Sequence, residues 1–477
     1  MENNLKSFLE ISYDRLEQLN LAAKEKRQKR VTEETLKEFY LDYLKSEKKL
    51  KAVTIGFSDI EGRFHLLDYD KKFFIKSYDN LTFDGSSIRG FSRQAESDLR
   101  LKIDWPAFWY LPADVFGAGK VLLFGRIIDQ DGSAYQADTR GILQDLLANL
   151  YKTKKYTVYA ANEIEGFLVK GIDAEQTYNE KIGFELTSTG GYYHTLPNDT
   201  LRIFIDRAAE AQRALGFQNE KDHPEVAPSQ FELNYSYTDA LIAADQIQIY
   251  KLICRQIARN MGLTATFLPK PMVGINGSGM HTNISVGQNG KNLFYDATGK
   301  GKLSAFAWQF IDRILGSAND ICLLLNASVN AYRRLDPHFE APNEIKVSET
   351  DRGSMIRIPL HNKESARIEV RSVGPDANPY LVLYSLIRTG FEGSLRERKT
   401  NTRERVRFLP GTIQTALAQF RQSSFIETIL GTDLKEKYIE LKSGTAKRCP
   451  EELGTKVKNN EVIYHHEVYN QYIWNDF

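Results

Sequence analysis

Several stretches of this 477-residue sequence set acidic or imidazole side chains at the spacing of a β-strand. Over residues 156–169, alternation puts Glu163, Glu165 and Phe167 on one side and Ile164, Gly166 and Leu168 on the other. A strand rises about 3.3 Å per residue, so the two glutamates stand roughly 6–7 Å apart on one face. The same period aligns Glu232, Asn234 and Ser236, then His281, Asn283 and Ser285, then Arg367, Glu369 and Arg371. One polar strand face is ordinarily the wet side of an antiparallel sheet. Four such strands, each with a Glu or His, suggest a shared cavity. Carboxylates gathered there would repel one another and take up protons unless cations compensated them. Hard oxygen donors with an imidazole suit Mg²⁺ or Mn²⁺ better than a thiolate zinc site, so metal-dependent chemistry is the leading expectation.

A second group has the opposite sign. Arg333, Arg334, Arg352, Arg357, Arg367 and Arg371 fall in a short stretch punctuated by Pro337, Pro342, Gly353 and Pro359. Guanidinium forks match phosphate and carboxylate oxygens, so divalent ions with arginines point to nucleotide phosphates and an acidic substrate. The competing reading is a surface salt-bridge network. The sequence has no Walker-A motif, and Gly274-Ile-Asn-Gly-Ser-Gly279 lacks the order of a dinucleotide fingerprint.

These side chains need elements to hold them. Leu5, Leu9, Tyr13 and Leu16 recur at helical spacing, and the charged run from Lys24 to Arg30 reads as a solvated helix end. Thr32 is the expected cap of a second helix with Glu33 and Glu34 in its first turn. Val53, Ile55 and Phe57 alternate before the turn Asp59-Ile-Glu-Gly62 and a second strand-like run to Leu67, a hairpin signature. Short strands continue to Ile128, Asp129-Gln-Asp-Gly132 makes another turn, and 142–150 returns to a helical pattern. The expected class is α+β, with N-terminal helices over 1–48, a small domain over 49–135 and a larger one over 136–477.

Composition excludes several functions. Lys plus Arg number 63 against 62 Asp plus Glu, leaving +1, so no global field steers the protein to nucleic acid or anionic membrane. No apolar run approaches the ~18–20 residues of a membrane helix. Cys254, Cys322 and Cys449 are odd in number and far apart, which supports neither a disulfide framework nor a cysteine zinc site. With acidic Glu2 and Glu10 and no signal-like apolar run near the start, a cytoplasmic location is expected.

An ordered set of motifs then narrows the reading. Phe83-Asp-Gly-Ser-Ser-Ile-Arg-Gly-Phe91, Asn162-Glu-Ile-Glu165, His223-Pro-Glu-Val-Ala-Pro-Ser-Gln-Phe-Glu232, Lys270-Pro-Met-Val-Gly-Ile-Asn-Gly-Ser-Gly-Met-His281, Arg334 with Phe339-Glu-Ala-Pro342, the stretch 352–359, and Arg367-Ile-Glu-Val-Arg371 through Asn378-Pro-Tyr380 occur in sequence. Together, over about residues 52–392, they resemble class I glutamine synthetase. The resemblance implies an N-terminal β-grasp domain, a C-terminal catalytic domain built as an open antiparallel half-barrel flanked by helices, and a dodecamer of two stacked hexamers with active sites between subunits. It also implies two or more Mg²⁺ or Mn²⁺ per site, with ATP, L-glutamate and ammonium as substrates.

Carried over residue by residue, one metal site would use Glu165, Glu225 and Glu232 and the other Glu163, His281 and Glu369. Arg334 and Arg371, with Asn276 and Gly277, match glutamate binders. Asn283, Ser285, Arg352, Arg357 and Arg367 match the ATP side, Arg352 also among the catalytic residues. Asp84 of a neighbouring subunit, with Tyr192 and Glu225, matches an ammonium pocket, and Glu340 a flap carboxylate over the glutamate entrance. Arg93 resembles a position used for feedback by glutamine in part of the family. Pro224, Val347, Asp351 and Gly374 depart from the pattern without replacing a metal ligand. Two other functions share the motifs: a γ-glutamyl ligase taking a primary amine or polyamine, which retention of Asp84 and Tyr192 disfavours, and a non-catalytic assembly or regulator-binding protein, which the intact ligand set disfavours.

Overall fold

The computed structural model describes residues 11–92, 97–178, 182–194, 199–335, 341–395 and 406–447. Strand β1 (Ala52–Ser58) pairs antiparallel with β2 (Phe64–Asp70) across a turn in which Gly62 takes a φ of 88°. A side chain at Gly62 would also strike Asn378, so both the turn and the close approach require glycine. With β3 (Leu81–Asp84), β4 (Asp98–Tyr110) and β5 (Lys120–Ile128) they form a five-stranded sheet of order β2-β1-β5-β4-β3, in which β1 and β5 run parallel. Asp84 therefore closes an edge strand.

The larger sheet carries the polar faces. It comprises β6 (Tyr156–Lys170), β7 (Asn219–Pro224), β8 (Gln230–Tyr235), β9 (Thr238–Asp239), β10 (Leu263–Thr266), β11 (Met280–Gln288), β12 (Lys291–Asn292), β13 (Glu344–Ser348), β14 (Ser354–Arg357) and β15 (Ile368–Val370). Its main path runs β13-β14-β15-β11-β6-β8-β7, an open, curled half-barrel flanked by helices. Burial alternates along β6: Ile164 is wholly buried, while Glu163 and Glu165 on the other face are only partly covered. Helix Ala240–Asn260 covers the apolar side, where the Tyr250 hydroxyl donates to the Ile164 carbonyl at 2.9 Å.

Thr32 caps helix Glu33–Ser46 as its sequence predicts, its hydroxyl accepting from the Thr35 amide. The charged run before it behaves differently from expectation. Lys24 and Arg27 lie on helix Tyr13–Gln28, which packs against β4 and helix Thr200–Ala214. Lys24 donates to the Gln218 side chain at 3.0 Å, and Arg27 pairs with fully buried Asp245 at 2.8 Å. Asp245 also receives Arg140 at 2.8 Å and the Tyr380 hydroxyl at 2.9 Å, while Arg140 reaches Asp104 on β4 at 2.6 Å. The run is half solvated face and half domain clasp, because its partners come from far along the chain.

Candidate active site

Register brings the polar faces together. Glu163 lies opposite His281, Glu165 opposite Glu232, Glu369 opposite Asn283 and Arg357, and His223 opposite Glu232. Paired residues on one sheet face have Cβ atoms about 4.5–5.5 Å apart, so the ladder itself makes a contiguous acidic surface. Its first cluster is Glu163, His281 and Glu369, whose ligand atoms lie within 4.8 Å of one another. His281 Nδ1 stands 3.6 Å from both carboxylates, and its Nε2 stands 4.0 Å from Glu165. Glu369, only 1% exposed, accepts from Arg371 at 2.6 Å and Arg357 at 2.9 Å.

A second cluster holds His223, Glu225 and Glu232 at the same spacing. The resemblance implies Glu165 beside Glu225 and Glu232. In the structure Glu165 borders both clusters, its Oε2 accepting from the Gly279 amide at 2.8 Å. His223 has no role among the residues expected to do chemistry; it stands on β7 opposite Glu232, and Glu225 follows just past the end of that strand. Its Nδ1 lies 3.0 Å from the Pro224 carbonyl and 3.7 Å from Glu225.

The charge balance shows what this surface would hold. Burial, then repulsion from Glu165, Glu163 and Glu225, raises the Glu232 carboxyl well above the ordinary range. Burial and Glu225 raise Glu165. For Glu163, burial is outweighed by His281, Asn283 and Arg367, which hold it below that range. The acidic side is thus under-compensated by the protein's own cations. Hard oxygen ligands in excess of local positive charge fit a divalent cation.

Two cavities flank the acids. One, of about 90 Å³, is lined by Glu165, Glu225, Asn276, Gly277, Arg334, Arg352 and Arg371 among others. Arg334 is buried and donates to the Val373 and Arg371 carbonyls, and burial lowers it to about 10. A Cβ at Gly279 would overlap the Arg334 guanidinium, and one at Gly277 would overlap the Pro269 carbonyl, so the glycines admit the loop to the site. The other cavity, of about 280 Å³, is lined by Glu163, Asn283, Ser285, Arg367, Tyr237 and neighbours. Arg367 Nε donates to Asn283 at 3.0 Å, and Asn283 donates to Glu163 at 3.1 Å, linking the cavity to the first cluster.

The remaining expected residues lie further out. Tyr192 is half exposed, with its ring edge toward His223 and its hydroxyl 2.7 Å from that of Tyr193. That hydrogen bond, burial and the charges of Glu225 and Glu232 raise its phenol. Asp84 lines neither cavity; its carboxylate accepts from the Ser86 amide at 2.8 Å and the Ser87 hydroxyl at 2.5 Å. Glu340 and Arg93 lie outside the described residues. Of the departures, Pro224 ends β7 beside the second cluster, Val347 lies on β13, and Asp351 pairs with Lys346 at 2.7 Å. A Cβ at Gly374 would meet Asp376 at 2.5 Å.

Residues 49–130 match the model of the glutamine synthetase beta-grasp domain, and residues 136–456 that of the glutamine synthetase catalytic domain. Glutamine synthetase of Thermus thermophilus is 35% identical over 435 residues, which is 84% of this chain and 93% of the relative. The Methanosarcina mazei glutamine synthetase is 34% identical over 424 residues, covering 85% and 93%. In fold, the chain resembles the cryo-EM structure of Plasmodium falciparum glutamine synthetase with a TM-score of 0.78 at 22% identity, over 88% of this chain and 97% of that one.

Proposed function

This chain belongs to the glutamine synthetase family of ATP-dependent ligases, and we propose that it is a class I member that joins ammonia to the γ-carboxylate of L-glutamate through γ-glutamyl phosphate. The observation that carries the reading is the segregation of charge. Glu163 lines one cavity with Arg367, Glu165 and Glu225 line the other with Arg334, Arg352 and Arg371, and buried Glu232 and Glu369 lie beside them in the sheet.

A carboxylate resists attack because its leaving group would be oxide. Transfer of the ATP γ-phosphoryl group converts that oxygen into phosphate and makes the carbonyl electrophilic. Arg334 and Arg371 would hold the glutamate carboxylates, with Asn276 and Gly277 supplying polar contacts. Asn283, Ser285, Arg357 and Arg367 would hold ATP, and Arg352 would neutralise charge moving along the phosphates. Glu163, His281 and Glu369 would hold one Mg²⁺ or Mn²⁺ and Glu165, Glu225 and Glu232 another; these ions would supply charge neutralisation during phosphoryl transfer.

Ammonium must arrive as a cation and attack as neutral ammonia. Tyr192 and Glu225 offer a negative, hydrogen-bonding entrance, and Asp84 of a neighbouring subunit would take the proton. The exposed edge position of Asp84, away from both cavities of its own chain, supports a site completed across a subunit boundary, as in a dodecamer of two hexamers. Glu340 would cover the acyl phosphate against water. Among the described residues no helix is long and apolar enough to cross a membrane; we place the enzyme in the cytoplasm.

Phosphate release with glutamate, ATP and Mg²⁺, comparing ammonium with a panel of primary amines and polyamines, tests the proposal. Ammonium should be the preferred acceptor by orders of magnitude. Preference for an alkylamine would make the protein a γ-glutamyl amine ligase, and no turnover in the assembled protein would leave a scaffold.

A further inference from the structure

Helix Thr432–Ala446 lies far from the acids in sequence, yet one of its faces meets the loop that follows Asp84. Lys437 Nζ donates to the Phe91 carbonyl at 2.8 Å and to the Tyr135 hydroxyl at 2.9 Å. One turn on, Leu441 packs so closely against Gly90, whose φ is 81°, that a Cβ there would lie 2.7 Å from its Cδ1. Another turn on, a Cβ at Gly444 would come within 3.0 Å of the Arg89 guanidinium. Positions 437, 441 and 444 share one helical stripe, so the helix meets residues 91, 90 and 89 in succession. Beside this stripe, Lys442 pairs with Glu61 at 3.0 Å, and Glu61 with Arg63 at 3.4 Å.

Among the described residues, the backbone bonds of the loop from Gly85 to Phe91 are Gly85 N to Ser97 O at 2.7 Å and the local turns Ile88 N to Gly85 O and Phe91 N to Ile88 O, each 3.1 Å. Next to it opens a cavity of about 610 Å³ lined by Phe91, Ser92, Asp129, Tyr135, Lys437 and Glu440 among others, so there is room for the loop to shift. Phe91 itself packs its ring edge-on to Tyr135, 5.7 Å between centroids, which ties the aromatic pair to the lysine.

We propose that Lys437 is a positioning residue for ammonium use: by clamping Phe91 and Tyr135 to helix Thr432–Ala446, it fixes the loop that presents Asp84 to the neighbouring subunit. The inference rests on the reading of Asp84 as the ammonium-pocket carboxylate. If only a fraction of loops is docked, the apparent affinity for the ligand that Asp84 binds falls by that fraction, while sites built wholly in the large domain are untouched. A charge-assisted hydrogen bond to a carbonyl favours the docked loop by about tenfold or more.

Steady-state kinetics of the assembled enzyme, with hydrogen exchange followed over residues 84–91, test this. Lys437→Met should raise the ammonium KM about tenfold, leave the KM values of ATP and glutamate within about twofold, and speed exchange in the loop; Lys437→Arg, which keeps a cationic donor, should recover most of the loss. Equal changes in all three KM values, or unaltered exchange, would overturn the proposal. Should Lys437→Met fail to assemble, Tyr135→Phe removes one of the lysine's partners and keeps the ring; it should raise the ammonium KM alone by a smaller factor, and no change would again overturn the clamp. Asp84→Asn separates the two ideas. An unchanged ammonium KM there sinks the reading of Asp84 and the clamp with it, whereas a raised value beside a normal Lys437→Met sinks the clamp alone.

Discussion

Metal affinity should climb steeply with pH, and the acidic cluster sets how steeply. Glu232 is raised well above the ordinary carboxylate range by burial and by Glu165, Glu163 and Glu225, and Glu165 is raised by burial and Glu225. A carboxyl raised in the folded state holds a proton that the unfolded chain has released. Its contribution to metal-free stability is therefore fullest below the ordinary value of about 4.3 and is lost as pH rises through the raised one. A divalent cation takes only the deprotonated ligand, so binding expels the proton. Each expelled proton makes the apparent affinity rise about tenfold per pH unit until the raised pKa is passed. Because the two glutamates are coupled, the logarithmic slope should lie between about one and two.

Mn²⁺ titrations followed by electron paramagnetic resonance, between about pH 5 and 8, read this slope directly; calorimetry in buffers of different ionisation enthalpy counts the protons. Glu232→Gln removes one ligand and its proton. Outer-shell partners of metal ligands commonly cost about 10–100-fold when removed, so a direct ligand should cost at least about tenfold at the high-pH end. The slope should drop by about one. A variant with weaker affinity but the parent's slope would show that the proton belongs elsewhere, and the electrostatic account of Glu232 would be wrong.

Three further outcomes are expected. Gly279→Ala should lower glutamate-dependent ATP turnover by about 100-fold or more with little change in melting temperature, because the new methyl overlaps Arg334 and lies 2.9 Å from His281 Nε2, displacing both. Arg27→Met should lower the urea midpoint by an amount equivalent to about 1–3 kcal/mol and leave the KM values of the folded enzyme alone, since Asp245 loses one of two arginines but keeps Arg140 and Tyr380. Mixing inactive Asp84→Ala and Glu369→Ala chains under conditions of subunit exchange should restore a minority of active sites; no rescue, with exchange verified by mass, would mean that each site is built within one chain.

The strand faces were legible because a period of two is local: Glu163 and Glu165 share a side of β6 whatever the rest of the fold does. Which strand lies beside which was not. Glu369 reaches His281 because β15 pairs with β11, and Glu232 reaches Glu165 because β8 pairs with β6, decisions made by packing across long separations. The resemblance supplied those partners where periodicity could not. The charged run at Lys24 failed for the same reason, since nothing near it in sequence announces a buried acid at Asp245. The place of His223 in the second cluster is equally non-local, since it comes beside Glu232 only because β7 pairs with β8.

Segregation of charge, rather than its quantity, distinguishes this centre from an ion-pair network. In a network that serves stability, acids and bases alternate so that each carboxylate has a cation. Arg140 shows this arrangement, bridging Asp104 and Asp245 in the core. Around the two cavities the order differs. Among the described residues Glu369 alone of the five site acids has arginine ion pairs, with Arg357 on β14 and Arg371 just past β15, while Glu163, Glu165, Glu225 and Glu232 have none. Arg334 meanwhile donates its guanidinium to backbone carbonyls, and Arg367 to an amide and a carbonyl. Outside the Glu369 pairs, acids and arginines held a few side chains apart and spent on neutral partners or on none cost the fold stability that a closer pairing would recover. That cost is intelligible where cations and anionic substrates supply the missing partners, and a surface salt-bridge network gives no reason for it.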